Sequence, residues 1–288
     1  MKSKTDVFSK TLAEFIALKY DSKITPLEDI IEEEELQVFY DNYGNGYFDG
    51  MTIFDNNQFF IHLNTGKGNK QNSARGRFTL AHELGHYFID AHRIGLKKGL
   101  LEPHPSQTNQ KQHHTIEREA DYFASCLLMP ESRFKQDIFK KKFSPGLLDY
   151  LKDEYNVSRT ACVLRYTDIG NHPLKIIYAI DGRIKWSHQS EDFPFKTLLY
   201  DDKVPENMVI GEYFSKKQDV EVYKKERVWA IDCFRHVRDE DMACVLLVSD
   251  TNKTLIFWPS KSRQYASSCF ASLHRPQYFF KQNNMVFR

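Results

Sequence analysis

Two histidines four residues apart, with a glutamate directly after the first, constrain this chain more than any other feature. They sit in Phe78-Thr79-Leu80-Ala81-His82-Glu83-Leu84-Gly85-His86-Tyr87-Phe88-Ile89. On an α-helix, at about 100° per residue, His82 and His86 lie roughly 40° apart and one turn from each other, so both rings can reach one cation. Glu83 falls about 100° round, beside such an ion rather than on it. Leu80, Leu84, Tyr87 and Ala91 cluster on the opposite side, which predicts a helix with an apolar back and a polar front. Neutral imidazoles suit Zn2+, the ion lowers the pKa of a bound water to near 7, and an adjacent glutamate is placed to take its proton. The alternative is a buried helix whose histidines only hydrogen-bond. Two histidines and a glutamate sharing the non-apolar face favour the metal, because packing gives no reason for them to gather there.

A two-histidine site needs a third protein ligand, and a second helix, stopped by Pro130, offers one in Glu117-Arg118-Glu119-Ala120-Asp121-Tyr122-Phe123-Ala124-Ser125-Cys126-Leu127-Leu128-Met129. Measured from Glu117, the apolar residues Ala120, Phe123, Ala124, Leu127 and Leu128 span an arc from about 240° to 20°, and Asp121 falls at about 40°. Glu117 and Asp121 therefore border the face expected to be buried. A carboxylate there is costly unless paired or metal-bound. Glu117 is accordingly the expected third ligand, and Asp121 the carboxylate that steadies a ligating ring. Glu119, at about 200° with Arg118, Tyr122, Ser125 and Cys126, is expected to meet solvent and stands as the alternative ligand.

These two blocks, from Arg77 through His86 and from Glu117 through Pro130, resemble the ImmA/IrrE family of zinc metallopeptidases over roughly residues 10–170. The resemblance implies a gluzincin-like fold, one whose third zinc ligand is a glutamate on a later helix. It also implies a cytoplasmic endopeptidase that cleaves a helix-turn-helix repressor. Where that family commonly carries Asn after Glu-Ala, this chain has Asp121, which preserves the supporting role.

With 288 residues and 41% hydrophobic content, the chain can bury two ordinary cores. A formal net charge of +1 provides no global field for nucleic acid or an anionic membrane. No apolar run of membrane-spanning length and no signal-peptide core is present, so a soluble cytoplasmic protein is expected. The five cysteines, Cys126, Cys162, Cys233, Cys244 and Cys269, are scattered and lack a C-x-x-C pair, which suits reduced core thiols.

Along the chain, residues 7–19 place Phe8, Leu12, Phe15 and Ile16 at helical spacing for a helix covering the core. Residues 36–40 alternate like a strand, and 49–54 with 59–64 read as a β-hairpin, so a small antiparallel sheet precedes the metal helix. An edge of that sheet could hold a substrate backbone as an added strand. Arg75 and Arg77, at the helix start, are expected to pack or pair with acidic groups. Residues 92–114, with His104, His113 and His114, read as a long connection. Residues 147–155 and 158–166 have helix-turn-helix spacing, with Ser158 as an N-cap. Arg159, Thr160 and Arg165 would face a groove if that unit bound DNA. The acidic Asp149, Asp153 and Glu154 argue for a packed helical unit instead. After the boundary at 170–173, strands are expected at 175–180, 183–186, 219–223, 228–233, 243–248 and 255–258.

The expectation is an α+β protein with a zinc metallopeptidase domain (1–135), a helical extension (136–170) and an antiparallel-rich α+β sensory or docking domain (171–288). Zn2+ would be held by His82, His86 and Glu117, with Glu83 as catalytic base and Asp121 behind. The expected partner is a protein substrate, a helix-turn-helix repressor, with neither membrane nor direct nucleic-acid contact. The rival is a non-catalytic, metal-binding, DNA-associated regulator.

Overall fold

The computed structural model describes residues 4–44, 48–101, 110–180, 182–199, 203–204, 225–249 and 253–260. Helices α1 (Lys4–Ala17) and α2 (Leu27–Glu33) lead into strands β1 (Gln37–Asp41), β2 (Gly50–Asp55) and β3 (Gln58–Asn64). Six helices follow: α3 (Ala74–Phe88), α4 (Asp90–Lys97), α5 (Gln110–Leu128), α6 (Glu131–Ile138), α7 (Pro145–Tyr155) and α8 (Arg159–Ile169). Strands β4 (Lys175–Ile180), β5 (Arg183–Gln189), β6 (Lys225–Trp229), β7 (Met242–Ser249) and β8 (Lys253–Ser260) close the described chain. The architecture is mixed α+β. No helix among the described residues is long and apolar enough to cross a membrane.

The first sheet has the order β1-β3-β2 and differs from the expected antiparallel one. β2 and β3 form the hairpin, with Ile53 opposite Phe60, but β1 runs parallel to β3, pairing Val38 with Ile61. The hairpin is legible from its local turn at Asn56 and Asn57, which both take positive φ. The parallel pair depends on where the connection before β2 carries the chain, which no local signal states. Ile61 and Leu63 are buried toward α3, and β2 packs on the same helix.

Helix α3 starts at Ser73, whose side chain accepts the Gly76 amide, and α5 crosses it closely. Gly85 permits that approach: a Cβ there would lie 3.2 Å from both Ala120 Cα and Phe123 Cδ1. An alanine at this point would push the helices apart at a cost of about 1–3 kcal/mol. Helix α1 packs on another side of α5. Its buried residues are Ser9, Ala13, Ile16 and Ala17, whereas Phe8 and Phe15, expected inside, are 50% and 65% exposed.

The expected connection at 92–114 is not structureless. Helix α4 occupies its start and α5 begins at Gln110, while 102–109, including His104, lie outside the described residues. Ser158 caps α8 by accepting the Ala161 amide, and Asn156 ends α7 in the left-handed region, as turn chemistry requires.

The second sheet is antiparallel, in the order β5-β4-β8-β7-β6. Ile176 and Ile256 belong to the same buried cluster as α8 and the helices beneath it, while Ile177, Ala179, Val228 and Val245 build a second cluster with Phe193 and Phe234. Adjacent residues of β4 thus face opposite cores, as the period of a strand dictates. The strand expected at 228–233 sits at 225–229 instead and runs into a short 3-10 turn, and the one expected at 219–223 lies outside the described residues. Cys126, Cys162, Cys233 and Cys244 are all buried; Cys269 lies outside the described residues.

Candidate metal centre

His82 and His86 project from α3 toward α5, where they meet Glu117. His82 Nε2 and His86 Nε2 are 3.1 Å apart. Glu117 Oε2 lies 3.3 Å from His82 Nε2, and Glu117 Oε1 lies 3.4 Å from His86 Nε2. Around a tetrahedral zinc with bonds of about 2.0–2.1 Å, donor atoms stand roughly 3.3–3.4 Å from one another. The two ring nitrogens and the Glu117 carboxylate, which turns one oxygen toward each ring, stand close to that spacing, so the donor set fits a metal ion. Among the described residues this is the one group of three His, Cys, Asp or Glu side chains whose donor atoms converge in this way.

Asp121, one turn after Glu117 on α5, bonds His82 Nδ1 at 2.9 Å. That contact makes Nδ1 the protonated nitrogen and turns Nε2 toward Glu117 and His86. Burial works against a charged His82 ring. The hydrogen bonds to Asp121 and Glu117 and the nearby charges of Glu83 and Asp121 outweigh it, lifting the pKa from 6.5 to about 10. The cluster without an ion therefore attracts a cation, and a proton serves as one.

Glu83 is 4% exposed, and its carboxylate reaches β2. Its Oε2 accepts a 2.7 Å hydrogen bond from the Thr52 hydroxyl. Gly50, two residues back on β2, leaves the space beside Glu83 Oε1 open. Neither Thr52 nor Gly50 was legible as part of the site, because strand residues more than thirty positions away carry no spacing signal to Glu83.

Glu119 does not meet solvent, as the wheel of α5 suggested. It is buried, and its Oε2 lies 3.1 Å from Nε2 of His92 on α4. Cys126, placed on the same outer face by the wheel, is fully buried too. Both corrections have one cause: α5 packs against α3 and α1 and is also met by His92 of α4 at Glu119 and by Arg165 of α8 at Cys126, so it has no single buried arc. Burial, then repulsion from His86, pushes the His92 pKa down to about 3, so its ring is neutral and Nε2–H donates to Glu119. His92 Nδ1 has no hydrogen-bond partner among the described residues. The His92 ring packs on the His86 ring, centroids 5.2 Å apart. Glu119 is thus engaged behind the cluster rather than in it.

The arginines resolve into structural roles. Arg75 pairs with Asp49 at 2.7 Å, and Arg77 is buried, donating to Thr25 O. In the helix-turn-helix-like unit, Arg159 is engaged by Asp149 at 2.8 Å. Arg165 is fully buried, donating to Met129 O, Cys126 Sγ and Glu14. Two of the three residues that a DNA-binding reading would aim at a groove are therefore used inside the protein. His113 and His114 fall on the first turns of α5, with side chains outside the description.

Residues 32–167 match the peptidase family described as "IrrE N-terminal-like domain". This segment carries a domain of the ImmA/IrrE family, and it includes both helices of the cluster. Among solved structures, the chain is similar to a Mycobacterium tuberculosis transcriptional regulator, with a TM-score of 0.57 and 11% identity over 89% of this chain and 76% of that one. At that identity the likeness concerns the fold, and it extends beyond the family segment into the second sheet. A comparison with curated protein sequences finds no match.

Proposed function

We propose that the protein is a zinc-dependent endopeptidase in which His82, His86 and Glu117 hold the ion, Glu83 moves the proton and Asp121 orients His82. The observation that carries this reading is the convergence of two imidazole nitrogens 3.1 Å apart with the Glu117 carboxylate, whose Oε2 lies 3.3 Å from His82 and Oε1 3.4 Å from His86, in a domain of peptidase type, with a glutamate directly after His82 in sequence. Zinc at this position supplies a Lewis acid that polarises the scissile carbonyl and makes a water acidic enough to ionise near neutral pH. Glu83 accepts the proton of the attacking water and delivers it to the leaving amide nitrogen, so the base of the first step is the acid of the second. β2 is an edge strand whose neighbour on one side is β3, which leaves its other side for a substrate backbone added as a further strand.

The substrate we infer is a helix-turn-helix repressor cut at one site in the cytoplasm. A water-activating zinc site has little side-chain preference of its own, so selectivity must come from docking remote from the scissile bond. The region after residue 170 is the docking or sensing element in this scheme, beside a peptidase domain over 1–135 and a helical extension over 136–170. The test is co-expression of neighbouring helix-turn-helix regulators with wild type or with Glu83→Gln, read by intact mass. One cut dependent on Glu83 supports the proposal. Persistence of cellular function in Glu83→Gln would refute peptidase action, and rapid many-site digestion of casein with every regulator intact would refute the narrow substrate.

A further inference from the structure

A glutamate that carries a proton between water and a leaving group has to be held in one orientation, and the contacts of Glu83 identify the strand that holds it. Thr52 lies on β2 and is buried to 4% exposure, like Glu83 itself. Its Oγ1 is 2.7 Å from Glu83 Oε2 and 3.1 Å from the Glu83 backbone oxygen. A hydroxyl has one hydrogen to give, and the carboxylate is the closer and stronger acceptor, so the bond goes to Oε2. Gly50 is two residues earlier and faces the same side of the strand. A Cβ at Gly50 would fall 2.5 Å from Glu83 Oε1, 2.9 Å from Glu83 Cγ and 2.7 Å from Thr79 Cγ2. One carboxylate oxygen is thus tethered, and the other occupies the volume that a side chain at position 50 would take.

We infer that Gly50 and Thr52 form a seat on β2 that fixes the orientation of Glu83, with Thr52 as a positioning residue and Gly50 supplying the space. This rests on the reading of Glu83 as the proton carrier. It adds a consequence that the spacing of the histidine motif does not contain. β2 is also an edge strand, so a polypeptide added to it lies against the element that seats the base. The register of the substrate and the position of the proton carrier are then set by one rigid strand rather than by two independent parts.

The test uses the full-length, zinc-loaded protein and the near-isosteric Thr52→Val, with Thr52→Ser as the rescue and Gly50→Ala as an independent route to the same displacement. Bound zinc, melting temperature, crystal structures and hydrolysis of fluorescein-labelled casein are compared. Thr52→Val is expected to keep its zinc and its fold while the Glu83 carboxylate turns away by more than about 0.5 Å, the tolerance of a working constellation. Its kcat should fall by about 10- to 100-fold with KM little changed, as for misplacement on the order of 1 Å. Thr52→Ser should restore both the position and the rate, and Gly50→Ala should reproduce the loss. A carboxylate that stays in place in Thr52→Val, or a serine that fails to restore it, overturns the inference. If wild type hydrolyses casein and Glu83→Gln does so no more slowly, the peptidase reading fails, and the crystal structures of Thr52→Val still decide whether the seat exists.

Discussion

Two groupings of histidine and carboxylate sit side by side along α5, one facing α3 and the other facing α4, and they differ in what they can do. In front, His82, His86 and Glu117 turn three donor atoms toward a common point, and Glu117 keeps 30% of its side chain accessible. Behind, His92 and Glu119 are 1% and 6% exposed and engage each other. The residue types are identical. Convergence and access let the first hold a cation, and enclosure makes the second a support against which the His86 ring rests.

The largest effect that could break this contrast is removal of Glu117. Glu117→Ala should lose stoichiometric zinc, measured by elemental analysis after gel filtration, because two histidines alone leave the ion underligated. Retention of zinc in that variant would mean that Glu119 or another group is the third ligand. Next, Asp121→Ala should still bind zinc but about 10- to 100-fold more weakly, the usual consequence of freeing a ligating ring from its outer carboxylate. Competition with a chromophoric chelator reads this directly, and unchanged affinity would remove Asp121 from the site.

A pH series sharpens the same distinction. His82 without an ion holds its proton up to about pH 10, so zinc must displace that proton throughout the neutral range. Affinity should fall by about tenfold for each unit of pH lowered below 10, with about one proton released per ion from His82 in calorimetry across buffers of different ionisation enthalpy. The sign for folding is opposite. A pKa raised above its unfolded value stabilises the zinc-free fold fully below about pH 6.5 and loses that contribution as pH rises through about 10.

The smallest effect on zinc is expected at the rear pair. Glu119→Ala should keep zinc affinity within about threefold while lowering stability by about 1–3 kcal/mol in urea unfolding, since it leaves the His92 N–H buried without an acceptor. Loss of zinc without loss of stability would reverse the roles assigned to the two groupings.

How much of this was legible depended on the range of the signal. His82, Glu83 and His86 are set by a four-residue spacing that any helix converts into one face. The second helix, its stop at Pro130, the cap at Ser158 and the hairpin of β2 and β3 are equally local. The wheel of α5 placed Glu117 and Asp121 at the border of the buried arc, and the structure brings both to His82, with Asp121 on the exposed side. The same wheel failed for Glu119 and Cys126, because it assumes one packed side and α5 is covered on several. Phe8 and Phe15 of α1 misled in the same way: apolar spacing names a stripe, not the partner that buries it.

By itself, the sequence determined the chemistry that two turns of helix can present: two imidazoles, an adjacent carboxylate and a second helix bearing Glu117 and Asp121. Those facts follow from the periodicity of a hydrogen-bonded helix, which is independent of what surrounds it. Only the tertiary structure decided that β1 runs parallel to β3, that Glu119 turns to His92, that Arg165 is enclosed, and that Gly50 and Thr52 meet Glu83. Each of these joins segments remote in the chain, and such contacts are chosen by the simultaneous packing of every element, which no local window of residues contains.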